Sequence, residues 1–231
     1  ERHEAWENVA RKLAHEIKNP LTPIQLIIDR LKSKFDKFLD KEKDKNDFDE
    51  NLKTINKQIK QIENLVNEFS DFARMPKPIF KQNNLIEIIN DNVKLLKELD
   101  TSIDIKFIKS SNQVLLKSDR EQISRVFLNL IKNSIESINQ KGVKSNNFNK
   151  KITIELSQTN NQITITIEDN GIGFGQLKKN VKEILNPYFT TKKNGTGLGL
   201  SIVNKIVNDH NGKIDFMSIK NGAKIKIEFI K

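Results

Sequence analysis

Apolar residues along the first third of the chain keep a strict rhythm. Ala10, Ala14, Ile17, Leu21, Ile24, Ile28, Leu31, Phe35 and Phe38 alternate steps of four and three, which lays one apolar stripe along a long helix. After the charged stretch 40–47, a second stripe repeats the spacing through Phe48, Leu52, Ile55, Ile59, Ile62, Val66, Phe69 and Ala73. Pro76 and Pro78 stop it, because proline lacks the N–H that a continuing helix needs. Two such helices joined by a polar turn predict an antiparallel hairpin whose stripes stay partly wet. Pairing two hairpins into a four-helix bundle covers the remainder, so a homodimer is expected. The alternative is a two-helix arm folded back on the rest of the chain.

From Lys77 the pattern shortens. Leu85, Ile88, Ile89, Val93 and Leu96 predict a helix over 84–99, and residues 103–108 and 114–116 read as strands. Ile123, Val126, Phe127, Leu130, Ile131, Ser134 and Ile138 line one face of a helix over 120–139. Period-two alternation then marks strands over 151–156 and 162–168, joined by a turn at Asn160-Asn161. A glycine-punctuated segment, 170–199, leads into a helix over 200–210. Asn211-Gly212 and Asn221-Gly222 are turn dipeptides around two last strands, 213–219 and 223–230. Three helices on a mixed sheet make an α/β sandwich, with 141–150 as a polar loop. The expected class is therefore α plus α/β: a hairpin over 1–75, a linker over 76–78 and a sandwich over 79–231.

Composition removes several classes. With 231 residues, 36% hydrophobic and 30% charged, the chain has material for a core. No run approaches the ~20 apolar residues that span a bilayer, and Glu1-Arg2-His3-Glu4 lacks a signal-peptide core. The missing initial Met suggests a fragment with an upstream part. Zero Cys excludes disulfides and thiolate chemistry, and three His make a His-rich metal site unexpected. Residues 1–75 hold 15 basic and 15 acidic side chains, whereas 76–231 hold 25 and 15, so the whole +10 lies in the second part. With one Trp, one Tyr and no Arg-rich helix, no nucleic-acid partner is expected.

Some positions carry candidate chemistry. His15 lies one residue past Ala14, so a helix turns it off the seam toward solvent, with Asn19 one turn on along the same face. Pro20 and Pro23 lack the N–H groups that the carbonyls of Glu16 and Asn19 would bond, which loosens and bends the helix beyond His15. A surface histidine beside an ordinary kink fits the same residues. Asn129 and Asn133 are one turn apart, and amide oxygens are hard ligands suited to Mg²⁺. Asp169-Asn170-Gly171-Ile172-Gly173 ends a strand with an acid and two glycines. Backbone there can approach a flat ligand while the carboxylate accepts an amine hydrogen bond. Gly195-Thr196-Gly197-Leu198-Gly199 opens a helix, offering bare N–H groups and the helix dipole to a phosphate. It lacks the lysine of a P-loop and the strand-first order of a Rossmann turn. Each motif alone is weak.

Together they resemble one family. His15-Glu16-Ile17-Lys18-Asn19-Pro20-Leu21 looks like the H box of sensor histidine kinases, and Asn129-Leu130-Ile131-Lys132-Asn133-Ser134 like their N box. Asp169 to Gly173 is similar to G1, Tyr188-Phe189-Thr190-Thr191 to the F box, and Gly195 to Leu200 to G2. Five motifs stand in family order over nearly the whole chain. Glu68-Phe69-Ser70-Asp71-Phe72-Ala73-Arg74-Met75-Pro76 and Asn186-Pro187-Tyr188-Phe189 resemble the nitrogen-regulation NtrY-type sensors in particular.

The resemblance implies a dimerisation and phosphotransfer domain over 1–75 and a catalytic ATP-binding domain over 79–231, of the GHKL (Bergerat) fold shared with Hsp90, gyrase and MutL. His15 would be the phospho-acceptor and Glu16 the base that holds its tautomer. Asn133 with Asn129 would bind Mg²⁺, and Asp169 the adenine amino group of ATP. Gly171 and Gly173 on one side, and Gly195, Thr196, Gly197, Leu198 and Gly199 on the other, would flank a mobile lid over 174–196. Within it Phe189, Thr190, Thr191 and Lys192 would meet the nucleotide, or the lysine is simply solvated. Asn19 would orient a water for phosphatase action on a response regulator. Ser134 and Ser137 depart from the family, standing where alanine is common, and Glu136 falls where some members carry a phosphate-binding lysine.

The function this implies is ATP-dependent autophosphorylation of His15 and phosphotransfer to an aspartate of a response regulator receiver domain. The alternatives are a GHKL-type ATPase clamp and a catalytically silent dimeric scaffold. This fragment would touch no membrane, and would be the cytoplasmic portion of an inner-membrane sensor. The excess positive charge then suits a triphosphate.

Overall fold

The computed structural model describes residues 2–35, 42–73, 75–142, 148–174, 184–185, 190 and 197–231, without the side chains of 2–13, 15, 42–44, 72–73 and 99. The chain divides into two compact units, Glu1–Pro76 with Thr191–Leu198, and Lys77–Thr190 with Gly199–Lys231.

The first unit contains two long helices. Helix α1 (Arg2–Phe35) runs through both Pro20 and Pro23. Helix α2 (Glu42–Ala73) begins inside the stretch that the charge run marked as a turn, since Glu and Lys suit a helix and the polar sequence does not itself break one. The two heptad stripes split into two faces. Ala14, Leu21 and Ile28 on α1, and Leu52, Ile59 and Val66 on α2, are spaced by seven and buried within the hairpin. Leu21, Ile28, Leu52 and Ile59 form one cluster with Phe48 packed on it, and the rings of Phe35 and Phe48 lie 6.0 Å apart. Ile17, Ile24 and Leu31, with Ile55 and Ile62, remain 38% to 45% exposed.

The second unit is a two-layer α/β sandwich. Its strands are β1 (Lys81–Asn84), β2 (Asp104–Lys109), β3 (Leu115–Ser118), β4 (Lys151–Gln158), β5 (Gln162–Asp169), β6 (Gly212–Ile219) and β7 (Gly222–Ile230). Helices α3 (Leu85–Leu99), α4 (Arg120–Gly142) and α5 (Gly199–Asp209) lie between them in sequence. The main sheet has the order β2-β4-β5-β7-β6, parallel between β2 and β4 and antiparallel elsewhere. Helix α4 packs on β4 and β5, α5 on β6, and α3 on β2. Alternate residues supply the core: Ile152, Ile154 and Leu156 on β4, Ile163, Ile165 and Ile167 on β5, and Ile225, Ile227 and Phe229 on β7. The opposite face is polar, with ion pairs such as Lys224–Glu168 at 3.4 Å.

Strand β1 has no counterpart in the sequence pattern. Its residues, Lys-Gln-Asn-Asn, show no alternation, and it exists as an antiparallel partner of β3, helped by the Asn83 amide donating to the Ser118 carbonyl at 2.7 Å. Asn84 caps α3 by accepting the Ile86 N–H at 3.3 Å. Asp119 holds the start of α4 through the Gln122 N–H at 3.1 Å. Both are side-chain acceptors for N–H groups that the helix leaves unpaired.

Candidate functional site

Strand β5 decides where the acidic residue of the candidate site goes. Ile163, Ile165 and Ile167 face the helices, and Asp169, two residues further, continues that face. Its carboxylate is therefore drawn under α4 and is only 4% exposed. The Gly171 N–H donates to Oδ1 at 2.9 Å, and the Ser134 hydroxyl donates to Oδ2 at 3.1 Å. Burial pushes the Asp169 carboxyl above the usual aspartate value, against the opposing pull of those two bonds, of the Ala223 backbone and of the Lys141 charge.

The loop after Asp169 is pinned on both sides. Asn170 donates to the Asn149 carbonyl at 2.6 Å and accepts the Lys151 N–H at 3.0 Å. Lys141, in the last turn of α4, donates to the Asn170 carbonyl at 2.8 Å and lies 4.9 Å over the Phe148 ring. The Ile172 N–H donates to the Ser137 hydroxyl at 3.1 Å. The loop thus lies so close to α4 that a Cβ on Gly171 would overlap the Ser137 hydroxyl and adjoining backbone. Gly173 takes a φ of 67°. Behind the loop, Gly222 takes a φ of 135°, and a Cβ there would overlap the Asp169 carbonyl. A cavity of about 390 Å³ opens beside these residues, lined by Lys141, Gly171, Ile172, Phe174, Lys220 and Gly222 among others. A larger groove of about 540 Å³, along α3 at Asp91, Lys94 and Glu98, contains none of the expected site residues.

Helix α4 carries Asn129 and Asn133 one turn apart, both half-buried. The Asn129 amide nitrogen donates to the Arg125 carbonyl at 2.9 Å, which leaves its oxygen as the outward acceptor. A Cβ on Gly199 would lie 3.2 Å from that oxygen. The N-terminus of α5, whose first N–H groups have no helical partner, therefore abuts the asparagine face of α4. Gly197 just before it has a φ of 72°, and Leu198 is fully buried. Amide oxygens beside the start of a helix suit a hard cation together with a phosphate. Among the described residues no group of three or more His, Asp or Glu could hold a metal, so a cation here would lean on the amides, phosphate and water, as Mg²⁺ commonly does.

The structure thus brings Asn129, Asp169, Gly171, Gly173 and Gly199 into one unit, with Asn133 on the same helix. On α1, Glu16 and Asn19 are exposed while Ala14 is buried; the His15 side chain lies outside the described residues. Phe189, Thr191, Lys192, Gly195 and Thr196 lie outside them too, and so does most of the expected lid, while Thr190 is exposed. Sequence reasoning passed over Ser134, Ser137, Lys141 and Gly222 as site residues. Ser134 left a signal: it interrupts an otherwise apolar stripe. His210, which follows α5, is buried, and its Nε2 accepts the Asp119 N–H at 3.0 Å, while Nδ1 bonds the Ile206 carbonyl at 2.8 Å.

Residues 118–231 match the family described as histidine kinase-, DNA gyrase B-, and HSP90-like ATPase, and residues 5–78 match the His Kinase A (phospho-acceptor) domain. The nitrogen regulation protein NtrY of Azorhizobium caulinodans is 38% identical over 224 residues, 96% of this chain, which spans 28% of that relative's length. The solved catalytic domain of histidine kinase ThkA is 32% identical with a TM-score of 0.57, over 66% of this chain and 96% of that domain. ThkA in complex with the response regulator protein TrrA matches with a TM-score of 0.66 at 26% identity, over 100% of this chain and 63% of the kinase. Similarity that runs through both units, with the five motifs in order, has one meaning: the chain belongs to the sensor histidine kinase family, with NtrY-type relatives.

Proposed function

We propose that this chain is the catalytic core of a two-component sensor kinase, which binds ATP in its second unit, phosphorylates His15 and passes the group to an aspartate of a response regulator. The observation that carries this is the meeting of the Asp169 loop, the asparagine face of α4 and the N-terminus of α5. One end of that site accepts an amine hydrogen bond, and the other offers N–H groups to phosphate and amide oxygens to a cation. In this proposal residues 1–75 are the dimerisation and phosphotransfer domain, 76–78 the linker and 79–231 the catalytic domain.

Each residue then has a task. Asp169 accepts the adenine amino group, while Gly171 and Gly173 let backbone approach the ring. Gly197, Leu198 and Gly199 present the α5 N-terminus to the phosphates, and Gly195, Thr196, Phe189, Thr190, Thr191 and Lys192 complete the enclosure. Asn133 and Asn129 would hold Mg²⁺, which would supply charge neutralisation to the phosphates. A neutral His15 attacks the γ-phosphorus through one ring nitrogen, forming an N–P bond as the bond to the ADP oxygen breaks. Glu16 accepts a hydrogen bond from the N–H of the other ring nitrogen and takes that proton as positive charge develops on the ring.

The solved complex of ThkA with its regulator supports a receiver domain as the partner. Asn19, exposed one turn beyond His15, supports a phosphatase role on that partner. The exposed Ile17, Ile24, Leu31, Ile55 and Ile62 support a homodimer, which would bury them in a four-helix bundle. In the localisation we propose, this is the cytoplasmic portion of an inner-membrane sensor. Among the described residues no helix is long and apolar enough to cross a membrane.

Incubation with γ-labelled ATP and Mg²⁺ tests the proposal. Base-stable, acid-labile label on the wild type, absent from His15→Gln, is expected. ATP turnover without protein label would point to an ATPase clamp, and absence of nucleotide binding to a silent scaffold. For Asn19, regulator bearing phospho-aspartate should lose its phosphate more slowly with Asn19→Ala than with the wild type.

A further inference from the structure

We propose that Ser134 is a positioning residue of the nucleotide site, whose hydroxyl holds the Asp169 carboxylate as an acceptor for a purine 6-amino group and so sets the preference for 6-amino over 6-oxo purines. This role rests on the assignment of the site to adenine nucleotides.

Two polar residues sit where the patterns of their elements call for apolar ones. Ser134 follows Leu130 and Ile131 on the sheet-facing stripe of α4 and is 2% exposed. Asp169 follows Ile165 and Ile167 on the helix-facing side of β5 and is 4% exposed. Neither can reach bulk water, so each needs a partner, and they supply one another across 3.1 Å. An alanine would fit the helix equally well. The hydroxyl is therefore dispensable for helix formation, and its effect falls on the carboxylate.

That effect is chemical. An ionised carboxylate only accepts hydrogen bonds, at about four lone-pair positions. Gly171 and Ser134 supply two donors, leaving acceptor capacity for an exocyclic N–H. A protonated carboxyl would also donate, and would welcome a 6-oxo group that the carboxylate rejects. Burial favours that protonated form. Against it stand the two donors, the Ala223 backbone and the charge of Lys141 on α4. Glu168 and Lys224, the charged neighbours on β5 and β7, alternate to the other sheet face and pair with each other there. Of the two donors, Gly171 gives a backbone N–H fixed by the loop. Ser134 is the one carried on a side chain, and so the one that sequence can set.

Equilibrium binding of ATP and of inosine triphosphate to the full chain, wild type and Ser134→Ala, at pH 6 and pH 8, tests this without requiring catalysis. The wild type should prefer ATP. The alanine variant, with its folding checked by circular dichroism, should lose about five- to tenfold in ATP affinity at pH 6 and less at pH 8. Its affinity for inosine triphosphate should hold or rise, narrowing the preference. An unchanged preference and an unchanged pH profile in Ser134→Ala would overturn the role of the hydroxyl alone. A wild type that binds neither nucleotide would overturn the nucleotide site and this role together. A loss equal for both nucleotides and at both pH values would mark Ser134 as merely structural and also overturn the proposal.

Discussion

The ring of His210 accepts the backbone N–H of Asp119 at 3.0 Å, a bond that joins the end of α5 to the residue capping α4. Asp119 in turn accepts the Ile79 N–H at 2.9 Å, and the Phe80 ring meets the imidazole edge-on at 5.1 Å. The first residues after the linker are thereby tied to the two helices that frame the phosphate end of the site. His210→Ala removes one buried and one part-buried hydrogen bond and a ring contact, and should cost about 2 to 3 kcal/mol of unfolding free energy in urea titrations. A loss indistinguishable from that of a surface substitution would show that the clasp contributes nothing.

Glycine substitutions should separate sharply. Gly222→Ala must move the Asp169 carbonyl out of a strand ladder and also strain a φ of 135°, so a loss of about 3 kcal/mol or more is expected together with impaired ATP binding. Gly142→Ala, which meets the flexible Lys150 side chain at 3.4 Å and the Phe148 ring at an ordinary 4.0 Å, should be neutral or stabilising by up to about 1 kcal/mol. Thermal unfolding of the two variants side by side checks the contrast.

Asp169 and Asp100 should respond to pH in opposite senses. Burial raises Asp169 above 3.8, so the folded state binds the proton more tightly, and stability from this group falls as pH rises from 3.8 through the raised folded value. Asp100 is lowered below 3.8, chiefly by the Ser102 hydroxyl and then by Asn139, with the Ser102 N–H and Lys150 also contributing. Its contribution is complete above 3.8 and lost as pH falls through the lowered folded value. Unfolding free energies of the wild type, Asp169→Asn and Asp100→Asn across the acid range should therefore diverge with slopes of opposite sign. Parallel curves for all three would rule this out.

The hairpin should show two kinds of sensitivity. Leu21→Ala or Ile59→Ala opens a cavity inside the buried cluster and should destabilise the hairpin by about 2 to 4 kcal/mol. Ile24→Glu, on the exposed face, leaves that cluster intact and should instead yield monomers in sedimentation experiments. A dimer that tolerates Glu at position 24 would place its interface elsewhere.

Much of the fold is legible in the residue pattern, for a local reason. Heptad spacing specifies α1 and α2, and alternation specifies β4, β5 and β7, because side-chain periodicity reports which face is buried. Where burial does not follow local pattern, legibility fails. Strand β1 is polar and pairs with β3 only because the fold brings them together. The accepting role of His210 Nε2 depends on Asp119, 91 residues away in sequence.

Taken alone, the sequence determined the helices, the strands whose residues alternate, and the set of motifs that place the chain among sensor histidine kinases, since each depends on residue type and short-range spacing. Only the tertiary structure decided which motif residues meet and how they are held. The contact of Ser134 with Asp169 spans 35 residues, and the approach of Asn129 to Gly199 joins two helices separated in sequence by two strands. The split of each heptad stripe into an inner and an outer face likewise depends on how two helices rotate against each other. Such relations are fixed by packing between distant segments, and a one-dimensional pattern carries the need for a partner without naming it.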